Sequence, residues 1–227
     1  MLDLIMAALG GDDAQVGKLI AAGADVNEAD ANGWTALAGA AGRGYDGIVV
    51  RLLAAGADVA HVDVKGVTAL MRAAEGGHVA IADRLLAARA NVNDADDKGK
   101  TALMRAAENR RVEMVDRLIK AGADVNHHDR RGKTALMRAA LGSDRAMIDR
   151  LLAAGADVNR RDANGWTALI CAAAGDTAIV KRLIDAGADV TLAAKDGMTA
   201  LKRAAANGHT AIVEMLETDA RLRAELG

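Results

Sequence analysis

Short apolar runs recur along the whole chain, each spaced like one face of a helix and each followed by polar residues. In residues 96–126, DDKGKTALMRAAENRRVEMVDRLIKAGADVN, apolar residues at 102, 103, 106 and 107 form an i, i+1, i+4, i+5 face. Residues 114, 115, 118 and 119 repeat that spacing after a polar turn. The segment therefore predicts two short helices joined by a turn.

Polar residues predict where these helices begin and end. Thr101 is placed as an N-cap whose hydroxyl accepts a hydrogen bond from the amide of Met104. Gly122 stands where a left-handed C-cap is needed. In the polar stretch ADVNHHDRRGKT that follows, Asp129 and Gly132 fit positions i and i+3 of a type I turn, which predicts an extended loop or hairpin between helix pairs.

The same unit recurs along the chain. The triplet Thr-Ala-Leu places threonines at 35, 68, 101, 134, 167 and 199, with four intervals of 33 residues and a last one of 32. The octapeptide DANGWTAL occurs at 30–37 and again at 162–169, four such intervals later. Because two helices this short are not stable alone, we expect them to bury their apolar faces on neighbouring copies.

The unit resembles an ankyrin repeat in DKGKTALMRAA, in NGHTAIVEML at 207–216 and in the recurring AAGADVN. The resemblance implies an all-α ankyrin-repeat solenoid of helix-turn-helix units with projecting β-hairpin-like loops. It also implies one domain over 1–227 with polar terminal repeats, the first starting its helix at Leu2. The predicted boundaries are 1–28 for the N-terminal capping repeat, 29–61, 62–94, 95–127, 128–160 and 161–192 for full repeats, and 193–227 for the C-terminal capping repeat.

Several positions depart from the family pattern. Thr-Ala replaces Thr-Pro six times, and the residue three after the threonine is Met71, Met104 or Met137 in three repeats. Methionine there favours core filling over a Met-rich binding surface. Arg89 replaces the capping glycine in AARANVN, so we expect a side chain in left-handed backbone and a weak joint.

Composition narrows the class of protein. Apolar residues make up 52% of the chain and aromatic residues 1%, which is typical of thin, closely packed helices. One cysteine excludes an internal disulfide and fits a reducing, cytoplasmic location. The apolar start carries Asp3 where a signal peptide has Lys or Arg, and no apolar run reaches membrane-spanning length. A net charge of −2 gives no overall attraction to nucleic acid or membrane.

No catalytic, cofactor or metal site is predicted. Cys171 lacks a base that would stabilise a thiolate, so we expect an inert surface or half-buried thiol. His127 and His128 beside Asp129 are adjacent in an extended segment and should point to opposite sides, which favours a solvated loop over a metal site. No phosphate-binding glycine motif occurs.

One column of positions suggests a binding surface. The fourth residue after each threonine runs Met6, Gly39, Arg72, Arg105, Arg138, Cys171, Arg203. The family resemblance places this column on the inner helices, facing a concave groove. Either Glu75 and Glu108 neutralise Arg72 and Arg105, or the arginines await an anionic partner. The loops add Lys100, Arg130, Arg131, Lys133, Arg160 and Arg161, as partner contacts or for solubility.

Trp34 and Trp166 precede the threonine and either pack over the neighbouring loop or anchor an interface. Together these features predict a monomeric, non-catalytic scaffold that binds another protein with an acidic surface and not a membrane. Nucleic-acid binding by the basic patch is an alternative, although the scarcity of aromatic residues disfavours it. Salt-dependent self-association is another, with the acidic end as the second surface. That end comprises Asp12, Asp13, Glu28 and Asp30.

Overall fold

The computed structural model describes residues 3–226, except for the side chain of residue 226. The predicted helix start at Leu2 lies outside the described residues. Within 3–226 the chain has fourteen α-helices and no β-strand, which confirms the predicted all-α fold class. No helix in this part of the chain is long and apolar enough to cross a membrane. The chain divides into two compact units, Met1–Asp124 and Val125–Gly227.

The unit Met1–Asp124 is built from helix pairs. Its helices are α1 (Asp3–Gly10), α2 (Asp13–Ala21), α3 (Ala36–Arg43), α4 (Asp46–Ala54), α5 (Ala69–Gly76), α6 (Val79–Ala87), α7 (Ala102–Glu108) and α8 (Val112–Lys120). The first helices of the pairs, α1, α3, α5 and α7, pack on one another in series. The second helices do the same, so each pair covers the apolar faces of the next.

The unit Val125–Gly227 repeats this arrangement. Its helices are α9 (Ala135–Leu141), α10 (Arg145–Ala153), α11 (Ala168–Ala172), α12 (Thr177–Asp185), α13 (Ala200–Ala206) and α14 (Thr210–Leu226). Helices α9, α11 and α13 pack in series, as do α10, α12 and α14. Helix α11 has only five residues and lies in the stretch where the repeat interval falls to 32.

A threonine starts the first helix of each pair. The six threonine hydroxyls accept from the amide three residues ahead at 3.2–3.4 Å, and Thr101 accepts from Met104 as predicted. The apolar faces of the first helices carry buried alanines, such as Ala73 and Ala74. Small side chains at these positions let neighbouring helices pack closely. Met71, Met104 and Met137 are each 1% exposed, so the core-filling prediction is confirmed.

The loops between helix pairs form the predicted tight turns. The amide of Gly132 donates to the carbonyl of Asp129 at 2.8 Å, and an isolated bridge pairs His128 with Thr134. Five more loops have the same turn hydrogen bond, accepted by the carbonyls of residues 30, 63, 96, 162 and 194. In four of them a bridge is also present, and these bridges pair Ala29 with Thr35, Val62 with Thr68, Ala95 with Thr101 and Ala193 with Thr199. The hairpin-like loops expected from the resemblance are therefore present.

An asparagine joins one repeat to the next at the start of several loops. Asn27 Nδ2 donates to the carbonyl of Gly56 at 3.4 Å, and Asn27 Oδ1 accepts from the amide of Asp58 at 2.7 Å. The same pair of bonds recurs from Asn93, Asn126 and Asn159. Each asparagine thus satisfies backbone groups at the end of the following helix pair.

The joint between the second and third repeats lacks both the bridging asparagine and the glycine that ends the second helix. Ala60 stands where the other loops have this asparagine, so its side chain cannot bridge to the next repeat. Arg89, which takes the place of Gly56 or Gly122, has a φ of 70°. The left-handed backbone predicted for Arg89 is confirmed. A residue with a Cβ is strained there by roughly 1 kcal/mol relative to glycine.

We predict that Arg89→Gly stabilises the protein, because glycine adopts a positive φ without steric strain. The expected gain of about 1 kcal/mol corresponds to a melting temperature about 2–4 °C higher for a chain of this length. Thermal unfolding followed by circular dichroism measures it.

Arg89→Ala is the matched control, because it removes the side chain but keeps the Cβ. It should leave the melting temperature near that of the unaltered chain. A melting temperature for Arg89→Gly that is unchanged or lower would show that the backbone at this joint carries no strain.

Candidate functional site

An aspartate near the start of the loop organises the turn from inside in each of the five full repeats. Asp63 Oδ1 accepts from the amides of Lys65 at 2.8 Å and Val67 at 3.0 Å. The equivalent residues Asp30, Asp96, Asp129 and Asp162 make the same two bonds, to residues two and four ahead. All but Asp30 are buried. These carboxylates therefore point into the protein and not toward a partner.

The second oxygen of three of these aspartates binds an arginine nine residues ahead. Arg72 Nη2 lies 2.6 Å from Asp63 Oδ2, and Arg105 Nη2 lies 2.6 Å from Asp96 Oδ2. Arg138 pairs with Asp129 in the same way, and only 10% of its side chain is exposed. The three arginines of the predicted site thus tie each first helix to its own loop.

The alternative in which Glu75 and Glu108 neutralise Arg72 and Arg105 within one helix does not describe the observed pairs. Glu75 pairs with Arg105 of the following repeat at 2.9 Å. Glu108 binds Lys100, another residue of the predicted site, at 2.8 Å. The arginine binds the loop aspartate and not the glutamate one helical turn away, because the loop holds the aspartate in a fixed, buried position beside the guanidinium.

Electrostatics favours the charged form of these aspartates. Burial by itself would raise the pKa of Asp63, but the amides of Val67 and Lys65 and the Arg72 guanidinium outweigh it and lower the pKa below 3.8. The pKa of Asp96 is lowered by the matching contacts against the same effect of burial. Both carboxylates are therefore ionised and contribute stability at neutral pH.

The exposed charge of the loops in Val125–Gly227 is positive. Arg130, Arg131 and Arg161 are exposed, while Lys133 and Arg160 are half-buried. Arg161 Nη2 also donates to the carbonyl of Ala193 at 2.6 Å. Because the loop aspartates 129 and 162 are buried, the basic side chains dominate the loop surface.

Each tryptophan packs against an arginine of the following repeat. The Arg72 guanidinium carbon lies 4.2 Å from the ring centre of Trp34, and that of Arg203 lies 4.5 Å from the ring centre of Trp166. Both distances lie within the range of cation–π attraction. Both indoles are half-buried. These contacts join each indole to a first helix of the following repeat. The choice between packing over the neighbouring loop and anchoring an interface stays a prediction.

Clefts adjoin both tryptophans. In Met1–Asp124 a cleft of about 320 Å³ is lined by Trp34, Arg72 and Glu75, with Gly39, Gly42 and Gly76 among its walls. In Val125–Gly227 a cleft of about 400 Å³ has Arg131, Lys133, Leu141, Asp162, Trp166 and Arg203 around it. Both volumes fall within the range of sites that accept a small ligand or a few side chains.

The second helices carry ion pairs that link successive repeats. Arg51 pairs with Asp13, Arg84 with Asp46, Arg117 with Asp83 and Arg182 with Asp149. These ion pairs join one repeat to the next and not adjacent residues of one helix. Each pair is partly exposed and so contributes little to stability by itself.

The residues considered for chemistry do not form a reactive site. Cys171 is 5% exposed, so it is more buried than predicted, and burial raises its pKa to about 11. The rings of His127 and His128 are stacked 6.2 Å apart, so the expectation that they point to opposite sides was wrong. Within residues 3–226 no three His, Cys, Asp or Glu side chains are grouped to hold a metal ion.

Comparison with known families identifies the class of protein. The family model described as "Ankyrin repeats (3 copies)" matches residues 4–96, 84–162 and 136–224. The chain therefore belongs to the ankyrin repeat family. Ankyrin repeats are generally protein–protein interaction modules and are typically non-catalytic. A comparison with curated proteins found no match.

We predict that stability falls in acid as the loop aspartates become protonated. Their lowered folded pKa means that the stabilisation is present above the unfolded value near 3.8 and is lost as pH falls through the folded value. Urea unfolding from pH 7 to pH 2 measures it. Asp96→Asn should be less stable at pH 7 by about 1.5–3 kcal/mol, the strength of a charged hydrogen bond, and should depend less on pH. An unaltered pH dependence in Asp96→Asn would exclude this aspartate as the cause.

We predict that Cys171 is unreactive in the folded protein. A pKa about two units above the ordinary value lowers the thiolate fraction roughly 100-fold, and burial further restricts access. Reaction with a chromogenic disulfide reagent at pH 8 should be slow in buffer and fast in urea, with Cys171→Ser as the blank. Fast reaction in buffer would contradict this assignment.

Proposed function

We propose that this chain is a non-catalytic, monomeric and cytoplasmic scaffold that binds a partner protein with an acidic surface. The contacts come from the loops and first helices, with the two tryptophans as apolar anchors. The proposed residues are Arg72, Arg105, Arg138, Lys100, Arg130, Arg131, Lys133, Arg160, Arg161, Trp34 and Trp166. The general role of ankyrin repeats in protein binding supports this proposal.

One observation carries the acidic-partner assignment. Asp129 and Asp162 face inward in their loops and accept backbone hydrogen bonds, while Arg130 and Arg131 face outward. With these two carboxylates buried, the exposed charge of the two loops is more positive than their sequence charge. A surface with an excess of exposed guanidinium groups favours partners that offer carboxylates.

The arginines of the first helices then have a second role in the proposal. Arg72, Arg105 and Arg138 are already paired with aspartates of their own loops. Their main contribution to binding is to hold the loops in position, and the direct charge contacts come from the loop residues. Reversing the charge of these three arginines would leave buried carboxylates unpaired and would therefore test folding more than binding.

Two alternatives are disfavoured by specific contacts. Single-stranded nucleic acid is bound largely by stacking of its bases on aromatic faces, whereas guanidinium groups cover one face of Trp34 and of Trp166. Self-association needs a free acidic surface, whereas Asp12 caps α2 and Asp13 pairs with Arg51. Asp30 likewise accepts amide bonds within its own loop.

We predict that a loop variant with Arg130→Glu, Arg131→Glu and Arg160→Glu loses its partner. Affinity capture from nuclease-treated lysate of the source cells, followed by mass spectrometry, should recover proteins with the unaltered chain and at least about tenfold less with the variant. Each lost charged contact weakens binding by roughly 1–3 kcal/mol.

The control carries the same change in net charge on exposed positions of the second helices, Lys120→Glu, Arg145→Glu and Lys181→Glu. It should capture the same proteins as the unaltered chain. If both variants capture equally less protein, the effect comes from net charge and not from the loop residues. Capture that disappears with nuclease alone would favour nucleic acid, and salt-dependent light scattering of the purified chain would favour self-association.

A further inference from the structure

The two DANGWTAL copies create two comparable sites within the chain. In each, the tryptophan is followed by a small residue at the fourth position after the threonine, Gly39 or Cys171, where the four other repeats with this threonine have arginine. The arginine that lies over the indole comes from the next repeat. Trp34 with Arg72 lies in one unit, and Trp166 with Arg203 lies in the other.

The first copy supplies its own carboxylate. Arg72 lies over Trp34 and also binds Asp63, its Nη2 2.6 Å from Asp63 Oδ2. The Asp63 side chain is 4% exposed. Indole, guanidinium and carboxylate therefore form a complete group in which the charge of Arg72 is satisfied within the protein.

The second copy lacks that carboxylate, although its backbone has the same turn. Ala194 stands in the place of Asp63, with its amide 2.8 Å from the carbonyl of Met198 and its carbonyl 2.9 Å from the amide of Gly197. The matching bonds of Asp63 measure 3.1 and 2.9 Å. The loop is thus conserved in shape, and only the acidic side chain is missing.

Arg203 consequently has no carboxylate partner among residues 3–226. Its Nη1 donates to the carbonyl of Ile170 at 3.0 Å, and its guanidinium lies over Trp166. The nearby Asp162 makes no hydrogen bond or ion pair with Arg203 in the part of the chain that the structure describes, and its Oδ1 accepts from the amides of Asn164 and Trp166. The Cys171 thiol does not replace it either, since a pKa of about 11 keeps it neutral at physiological pH.

The cleft around Arg203 favours an anion with an apolar neighbour. Arg131 and Lys133 also line it, so three cations face one engaged aspartate. Leu141 borders the same space and is 47% exposed, so apolar surface lies beside the cations. The volume of about 400 Å³ can hold more than one side chain.

We propose that this cleft binds a glutamate or aspartate side chain of a partner protein, on an acidic segment that places a large aliphatic residue beside it. The partner's carboxylate pairs with the Arg203 guanidinium from the cleft, as Asp63 pairs with Arg72 from within its own loop, and the partner's aliphatic residue packs on Leu141 and Trp166. This inference rests on the proposed function and specifies the chemistry that one part of the surface recognises.

A peptide titration tests the proposal directly. The probe is the blocked hexapeptide Ac-Leu-Glu-Leu-Glu-Leu-Glu-NH2, and its glutamine analogue is the uncharged control. The background is Trp34→Phe, which leaves Trp166 as the only tryptophan, so its fluorescence reports on this cleft. We expect a saturable change with the glutamate peptide and at least about tenfold weaker binding of the glutamine peptide.

Ala194→Asp is the decisive variant, because it supplies the missing carboxylate within the chain. It should weaken binding of the glutamate peptide at least about tenfold, while Ala194→Asn, of similar shape but uncharged, weakens it much less. Arg203→Gln should also lose binding. Circular dichroism checks that each variant is folded. If Ala194→Asp does not fold, the binding measured for Arg203→Gln tests the proposal instead.

Three results would overturn the proposal. They are no saturable response up to about 1 mM peptide, binding unaffected by the variants that should weaken it, and equal binding of the oligonucleotide dT12 at the same cleft. The general function is tested separately by the lysate capture. If the loop variant loses its partner while Ala194→Asp keeps it, the proposed function stands and this cleft is not the site. If the loop variant and Ala194→Asp both lose the partner, the result supports the proposed function and this cleft as a binding site.

Discussion

The turn of every full repeat depends on one aspartate near the start of its loop, and in four of the five full repeats this aspartate is buried. Its first oxygen accepts two backbone amides and so fixes the turn, as with Asp63 and the amides of Lys65 and Val67. In three repeats its second oxygen binds an arginine of the following helix. A buried carboxylate is tolerated only when its hydrogen-bonding capacity is filled, so loop and helix have to adopt their positions together.

This constraint determines which charges reach the surface. An aspartate that serves the turn is removed from the solvent-facing charge of its loop, whereas Arg130 and Arg131 extend outward from the same loop. A chain with a formal net charge of −2 can therefore present a basic surface in one region. The loop's own chemistry, and not the overall composition, decides what kind of partner that region attracts.

The repeat period and the caps could be predicted from the sequence because both depend on contacts within three or four residues, as with Thr101 and Met104. Arg89 was predictable for the same reason, since its backbone geometry follows from its place in the repeat. The partner of Arg72 could not be predicted in this way, because Asp63 lies nine residues away across a turn. A usable signal existed: aspartate five residues before the threonine and arginine four after it occur together in three repeats.

The two tryptophan sites show how one substitution separates two functions of a single arginine. Arg72 makes an ion pair inside its repeat and a cation–π contact across the repeat boundary, so it supports both its loop and the neighbouring one. Arg203 keeps the contact across the boundary, but Ala194 removes the pair inside. Its loop nevertheless has the same turn, so the aspartate is dispensable for the shape there. What the alanine changes is the availability of the guanidinium, and a cation held over an indole with no internal carboxylate is better prepared for a partner's anion than for stabilising its own repeat.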